Sequence, residues 1–328
     1  MQQDISMTGV SIIIRTRNEA KYLESVLKKV SEQEGDFAPE IIIVDSESTD
    51  GTLDIATKFR CRVIQLPRSE FAWGRALNMG LEAATNEYCV LLSGHCLPIS
   101  NRWLPSLIRP LSDQSVAAAC GGQVPRHGLD PFEEVETLRW FPLIPENTSY
   151  QMFTSANSAL KRSLWQIYGF SETLNSLEDA ELSAKFKRMG YDIKYVAEAA
   201  VYHSHPMSLP GVYRRWYWRS RVGMYLRRNT NPRIRRASRS VLPNIAPLQA
   251  VMVSTGRYFF SSIKLCITRG YISQLWKIPF YELAREYAIY AGGRDGLLDV
   301  KHDEAPARFS YYQNEVPRLI NLLRFIEK

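Results

Sequence analysis

The chain has 328 residues, of which 45% are hydrophobic and 23% are charged, and its formal net charge is +7. These values exclude a mainly disordered chain, and the length allows one large domain with a substantial appendage. The 5 cysteines are odd in number and form no CxxC pair, which disfavours a zinc or disulfide framework and favours a reducing, cytosolic compartment. With no basic-then-apolar leader and no apolar run of about 18 residues, no signal peptide or transmembrane helix is predicted.

The first third of the chain alternates between short buried strands and amphipathic helices. Strands are predicted over 10–14, 40–44, 62–66 and 88–92, and helices over 20–32, 52–59 and 76–84. Such alternation is typical of an α/β fold with a mainly parallel sheet between helices. Ligands bind at the carboxyl ends of the strands in such sheets, so we expect the polar residues there to converge on one crevice. These residues are 15–19, 45–50 and 93–95.

The later elements are less regular. A strand is predicted over 117–122, a proline-containing loop over 125–149, a helix over 178–189, and extended segments over 192–196 and 199–203. From Pro210 the sequence becomes basic, aromatic and mostly helical. We therefore predict an α/β domain over residues 1–206 and a basic, mainly helical region over residues 207–328.

A distinctive polar segment, Asp45-Ser46-Glu47-Ser48-Thr49-Asp50-Gly51-Thr52, follows the second predicted strand. Its carboxylates could bind a base or ribose, or Asp50 and Gly51 could simply begin the next helix. The segment resembles the nucleotide-binding signature of family 2 glycosyltransferases, which have the GT-A fold. Residues 12–19 and 71–80 resemble that family's opening strand with its loop and the segment before its central strand.

The resemblance implies a Rossmann-like GT-A domain with a nucleotide-sugar site, in which Thr16 and Asp45 lie near the base and ribose and Arg75 lies near the nucleotide. Asn157 stands in a small-residue segment similar to the one under the donor sugar in the family, although an ordinary strand and turn would have the same sequence. The residues assigned to nucleotide-sugar binding are Thr16, Arg17, Asn18, Glu19, Asp45, Ser48, Arg75, Asn78, Ser93, Gly94 and Asn157.

The segment Ser93-Gly94-His95 stands where the family carries Asp-x-Asp, whose carboxylates hold a divalent cation. Ser93 supplies no anionic ligand, but a neutral imidazole at His95 can bind Mn²⁺. Direct contact between His95 and phosphate is the alternative. The family often has a histidine after the last strand that reaches the metal or diphosphate, and His203 matches it. We predict a divalent metal, Mn²⁺ or Mg²⁺, held by His95 and His203, with His205 as a further candidate.

The acidic pair Glu178-Asp179 begins a predicted helix, where acidic residues are favourable partners of the helix dipole. The pair also resembles the family's Glu-Asp motif, whose Asp serves as general base. The resemblance implies inverting transfer, in which Asp179 removes the proton of an acceptor hydroxyl as that hydroxyl attacks the anomeric carbon. Glu178 would then orient the base or bind the acceptor.

Positive charge is concentrated in one segment, because residues 207–280 contain fourteen Lys and Arg and no Asp or Glu. The arginines from Arg214 to Arg239 stand among Tyr213, Trp216, Tyr217 and Trp218. This mixture suits an anionic membrane surface. The alternative is a solvated or oligomer-forming surface; nucleic acid is disfavoured because no nucleic-acid-binding motif accompanies the charges.

The sequence therefore predicts an inverting glycosyltransferase that uses a UDP-, GDP- or dTDP-sugar and a glycan or lipid-linked acceptor in bacterial surface polysaccharide synthesis. Similarity to bacterial rhamnosyltransferase-like members of the family suggests dTDP-rhamnose as the donor. We expect the protein in the cytoplasm or at the inner face of the plasma membrane. The alternatives are a sugar nucleotidyltransferase, which would need a Gly-rich phosphate loop, and a non-catalytic scaffold that has lost its metal site.

Overall fold

The computed structural model describes residues 9–35, 38–126, 133–134, 137, 141, 153–174, 176–205, 208–230, 259–260, 262–264 and 266–301. The strands are β1 Val10–Thr16, β2 Glu40–Asp45, β3 Arg62–Gln65, β4 Tyr88–Ser93, β5 Leu97–Pro98, β6 Val116–Val124, β7 Asn157–Lys161 and β8 Asp192–Tyr202. The helices are α1 Ala20–Ser31, α2 Thr52–Lys58, α3 Trp73–Ala83, α4 Trp103–Ile108, α5 Arg162–Tyr168, α6 Glu178–Arg188, α7 Leu209–Thr230 and α8 Ile278–Lys301. Short 3₁₀ helices cover Arg68–Glu70, Arg109–Ser112 and Ile272–Lys277.

The strands of the described residues belong to one 8-stranded sheet in the order β3-β2-β1-β4-β7-β6-β8-β5. Strands β1 to β4 pair in parallel, β7 runs antiparallel to both β4 and β6, and β8 runs parallel to β6. The carboxyl ends of β1, β2, β4, β6 and β8 therefore share one edge of the sheet with the start of β7. The prediction of a mainly parallel α/β sheet is confirmed.

Each face of the sheet is covered by an apolar layer. Alternate residues of β1 explain this, because Ile12 and Ile14 face one core and Ile13 faces the other. The first core includes α1 and α4, and the second includes α3 and α6. Gly80 lets α3 approach β1 closely, since a Cβ there would collide with Ile13.

The predicted strands and helices of the first third are all present, although α3 begins at Trp73 rather than at Ala76. The strand predicted over 117–122 is β6, and the two extended segments after residue 191 form the single strand β8. Strand β5 and helices α4 and α5 were not predicted. Most of the loop predicted over 125–149 lies outside the described residues.

The chain divides into two compact units. The first unit comprises residues 1–126, 137–172 and 178–204, and the second comprises residues 127–136, 173–177 and 205–328. In the second unit α7 and α8 pack closely, because Gly292 faces the backbone of Tyr217 and leaves no room for a Cβ. The helical character predicted for the region after residue 206 is confirmed for its described residues.

The aromatic residues of α7 face the protein rather than solvent. Tyr213 and Trp218 are buried, and Trp216 and Tyr217 pack against the apolar core of the second unit. The Tyr217 hydroxyl donates to Asp295 at 2.6 Å. Two of these four rings are buried and two are half-buried within the second unit, and contact of this segment with a membrane stays a prediction. The side chains of residues 227–239, which include the later arginines, lie outside the described part.

Among the described helices, none is both long enough and apolar enough to span a bilayer.

Candidate functional site

The turns that follow β1 and β2 are joined by hydrogen bonds around one buried carboxylate. Thr16 Oγ1 donates to Asp45 Oδ1 at 2.8 Å, and the Ser48 backbone N–H donates to Asp45 Oδ2 at 2.9 Å. The Ser48 hydroxyl in turn accepts from the Asn18 N–H at 2.8 Å. Four residues predicted to bind the nucleotide are thus brought together, with Asp45 fully buried among them. Arg17 lies in the same turn and is partly buried.

Asp50 caps two helices at once. Its Oδ2 accepts from the N–H of Ala20, the first residue of α1, and its Oδ1 accepts from the N–H of Thr52, the first residue of α2. Gly51 has a φ of +86°, which favours glycine. The capping interpretation of Asp50 and Gly51 is therefore confirmed.

The loop after β4 places His95 against Glu19. His95 Nδ1 lies 2.7 Å from Glu19 Oε1, and both side chains are largely buried. Gly94 makes this approach possible, because a Cβ there would lie 2.9 Å from Glu19 Cγ and 3.0 Å from Thr16 Cγ2. Ser93, at the end of β4, is held through its backbone N–H, which donates to Ala156.

His203, which follows β8, stacks on His95 with ring centroids 5.1 Å apart. His203 Nδ1 lies 2.6 Å from the side-chain oxygen of Gln123. Carboxylate and amide oxygens only accept hydrogen bonds, so Nδ1 donates in both rings and each neutral imidazole carries its lone pair on Nε2. Metal-binding histidines are commonly oriented by such oxygen partners.

One ligand atom from each of His95, Cys96 and His203 lies within 4.8 Å of the others. Burial raises the pKa of the Cys96 thiol to about 12, so the sulfur is protonated at neutral pH. It would have to lose this proton to bind a metal. The two imidazoles are the stronger donors. His205 belongs to the second unit, where its backbone N–H donates to Glu133.

A cation that the motifs did not indicate lies beside the histidine pair. The Arg126 guanidinium donates to the His95 carbonyl and covers the ring of Tyr22 at 4.1 Å. The Arg126 backbone N–H donates to the Ser204 hydroxyl at 2.8 Å, which ties the ends of β6 and β8 together. In the sequence, the only indication that Arg126 belongs to the site is its position just after a strand, β6, that ends at this edge of the sheet.

A second cluster forms where α6 begins. Ser155, which precedes β7, donates from its hydroxyl to Glu178 at 3.1 Å and from its backbone N–H to Asp179 at 3.3 Å. Arg15 donates to the Ser155 carbonyl and hydroxyl oxygens at 3.2 and 3.1 Å and stacks on Trp73 at 5.0 Å. Glu178 is buried, whereas Asp179 is partly exposed.

The charges in this cluster interact strongly. Burial and the neighbouring Asp179 charge raise the pKa of Glu178 to about 7, against the opposing influence of Arg15. Desolvation lowers the pKa of Arg15, and the attraction of Glu178 and Asp179 opposes this effect. Arg15 thus interacts with both carboxylates. The sequence placed Arg15 among the polar residues 15–19 expected at this edge, but it assigned no role to Arg15 or to Ser155.

Two other predicted ligands, Arg75 and Asn78, lie on α3 and contact protein groups. Arg75 pairs with Glu70 and lies 3.8 Å from Glu172. The Asn78 amide nitrogen donates to the Phe170 carbonyl and to Glu172, while its oxygen accepts from the Trp165 indole and the Phe170 N–H. All the hydrogen-bonding positions of the Asn78 amide are therefore used within the protein.

Asn157 is also enclosed by protein. Its amide nitrogen donates to the carbonyls of Gly122 and Ala199 at 2.9 Å each, and its oxygen accepts from the Trp103 indole at 2.9 Å. The side chain is fully buried. In this conformation Asn157 ties β7 to its neighbours and offers no group to a ligand.

Comparison with known proteins gives a family match and a similar fold. Residues 11–168 match the family model described as Glycosyl transferase family 2. The chain is 32% identical over 178 residues to the O-antigen chain rhamnosyltransferase WbaN of Salmonella anatum, a match that covers 51% of this chain and 56% of that protein. It is 24% identical over 209 residues to the O-antigen chain rhamnosyltransferase RfbN of Salmonella typhimurium, covering 60% of this chain and 66% of that protein. The matches therefore span only part of either relative.

Among solved structures, the chain resembles the mannosyltransferase PcManGT of Pyrobaculum calidifontis in complex with GDP-Man and Mn²⁺. The TM-score is 0.58 at 21% identity, over 88% of this chain and 87% of that chain. This likeness supports the GT-A fold predicted from the sequence.

Proposed function

We propose that this chain, whose residues 11–168 belong to glycosyltransferase family 2, moves a sugar from a nucleotide-diphosphate sugar to a glycan or lipid-linked acceptor. The observation that carries the proposal is the convergence, within one unit, of the Thr16–Asp45 turn, the histidine pair and the Glu178–Asp179 pair. The first two follow strands that end at one edge of the sheet, and the third contacts Ser155 at the start of β7. The relatives are named O-antigen chain rhamnosyltransferases, which supports a rhamnosyl donor and surface polysaccharide synthesis; the sequence resemblance suggests dTDP-rhamnose.

Asp179 is proposed as the general base. It is partly exposed, so an acceptor hydroxyl can approach it, whereas Glu178 is buried and held by Ser155. As the acceptor oxygen bonds to the anomeric carbon, the bond from that carbon to the diphosphate oxygen breaks and the hydroxyl proton passes to Asp179. Attack opposite the leaving group inverts the configuration.

Arg15 is proposed as a positioning residue for this base. Its charge favours the ionised form of the two carboxylates, and its bonds to Ser155 fix the residue that both carboxylates contact. Its raised pKa lets Glu178 hold a proton near neutral pH beside the same cation.

The histidine cluster fits a divalent cation. Each imidazole is oriented through Nδ1 by an oxygen acceptor, so Nε2 of His95 and His203 can act as ligands. Imidazole donors suit Mn²⁺ better than Mg²⁺, which prefers carboxylates and water. Such an ion would neutralise charge on the departing diphosphate, and Arg126 adds a fixed positive charge beside the same cluster.

A thermal-shift screen of UDP-, GDP- and dTDP-sugars, with and without Mn²⁺, tests this function. We expect one nucleotide class to raise the melting temperature by at least about 2 °C, and Mn²⁺ to increase that shift. His95→Ala should remove the Mn²⁺-dependent increase, and chelator-treated wild-type protein is the reference. If no nucleotide sugar changes the melting temperature with or without Mn²⁺, the proposed function is wrong.

A further inference from the structure

In the first turns of helix α8 the two acidic residues, Glu282 and Glu286, face inward. Arg285 pairs with Glu282 at 3.1 Å and with Glu286 at 2.6 Å, and all three side chains are buried. The Ser262 hydroxyl donates to Glu282 at 3.0 Å. These two carboxylates therefore form buried ion pairs and hydrogen bonds within the second unit and are not exposed on the surface of the helix.

The outward side of the same segment is apolar. The residues Ile272, Trp276, Phe280, Leu283 and Tyr287, here called the apolar face, are all exposed. Their spacings of four, four, three and four residues place Phe280, Leu283 and Tyr287 along one side of α8. Trp276 is 57% exposed and Leu283 is 66% exposed, so large hydrophobic groups are left in water. Exposed apolar patches of this kind mark interaction sites.

Positive charge accompanies the apolar face. Lys277 Nζ lies 5.7 Å from the centre of the Trp276 ring, and Trp276 and Phe280 pack edge to face at 6.3 Å. Lys264 is exposed, and Arg269 is exposed while pairing with Glu134. Among the described residues from 259 to 290, the only carboxylates are Glu282 and Glu286, which are buried.

We propose that the apolar face docks the protein on an anionic lipid bilayer. Tryptophan and tyrosine favour the headgroup region, aliphatic side chains enter the acyl boundary, and lysines attract anionic lipids. A second copy is a poorer occupant, because the described residues 259–290 expose no carboxylate to pair with the lysines of that copy. The docking surface differs from the one predicted on Arg214–Arg239, since the aromatic rings of α7 are turned inward.

The test is vesicle sedimentation with the full chain at low salt and no donor or acceptor, so failure of the sugar-transfer proposal would not affect it. Wild-type protein should bind vesicles that contain phosphatidylglycerol more strongly than vesicles of phosphatidylcholine alone. The double variant Trp276→Gln, Leu283→Gln should lose at least about tenfold in vesicle affinity, because two large apolar groups no longer enter the bilayer.

The matched control is Ile167→Gln, Met189→Gln, which removes two side chains that are 68% and 59% exposed in the first unit. The control should bind like wild type, and circular dichroism should show that both double variants are folded. Equal vesicle binding by wild type and the Trp276–Leu283 variant would overturn the proposal. So would a wild-type dimer that ignores vesicles and becomes monomeric in that variant, because the apolar face would then bind a second copy.

Discussion

At the scale of single residues, charge interactions shift the pKa values of side chains in one cluster. Its members are Arg15, Ser155, Glu178 and Asp179. Two carboxylates share one cation, and the more buried of the two has the raised pKa. A raised pKa means that folding favours the protonated form of Glu178. The stabilisation that its proton provides is present below its ordinary pKa of about 4.5 and is lost as the pH rises to about 7.

Replacing Glu178 with glutamine should reveal this dependence of stability on pH. Glutamine imitates the protonated acid at every pH, so the unfolding free energy of wild type should fall relative to Glu178→Gln between pH 5 and pH 8. The expected change in the difference is up to roughly 3 kcal/mol. Urea unfolding at the two pH values measures it. A difference that stays constant across this range would contradict the assigned environment of Glu178, and the variant Glu198→Gln at an exposed position is the control.

At this scale the sequence predicted side-chain contacts between residues that are close together in the chain. Asp45 and Ser48 are three residues apart, and their turn was identified by its motif. It failed where partners are distant, since the Asn78 amide meets Trp165 and Glu172, which no spacing rule pairs with it. Arg15 was expected at this edge of the sheet as part of residues 15–19, but no role was assigned to it, because only the fold brings its carboxylate neighbours close.

At the scale of elements, the site depends on strand ends that meet at one edge of the sheet. The alternating pattern predicted β1 to β4 because each contains a short run of β-branched and aliphatic side chains. Strand β7 was left ambiguous because Asn157, Ser158 and Lys161 are polar, although all three are buried. Its antiparallel pairing with β4 and β6 comes from the fold and has no signature in the sequence.

Asn157→Ala should therefore act on stability rather than on donor binding. The change leaves the Trp103 indole and the carbonyls of Gly122 and Ala199 without their partner, which should cost about 3 kcal/mol or more. Urea unfolding measures the loss, with the exposed Ser112→Ala as control. If the variant keeps its stability but binds nucleotide sugar more weakly, Asn157 contacts the donor as the sequence predicted.

At the scale of the whole molecule, the sequence predicted an α/β fold followed by a helical region, and both are present. It could not predict which side of α8 faces solvent. Residues Glu282, Arg285 and Glu286 look like a solvated surface in a linear sequence, yet they are buried as an ion-pair cluster. Helical periodicity identifies two faces, and only tertiary packing decides which of them is covered.

The central claim is that the nucleotide-sugar site and the base Asp179 act in one transfer reaction. The most direct measurement compares turnover and donor affinity for wild type and Asp179→Asn, with the exposed Asp192→Asn as control. Losing a general base should reduce turnover by roughly 10²–10⁴-fold. Donor affinity should stay within about threefold, because Asp179 acts on the acceptor hydroxyl. Undiminished turnover in Asp179→Asn would contradict the account.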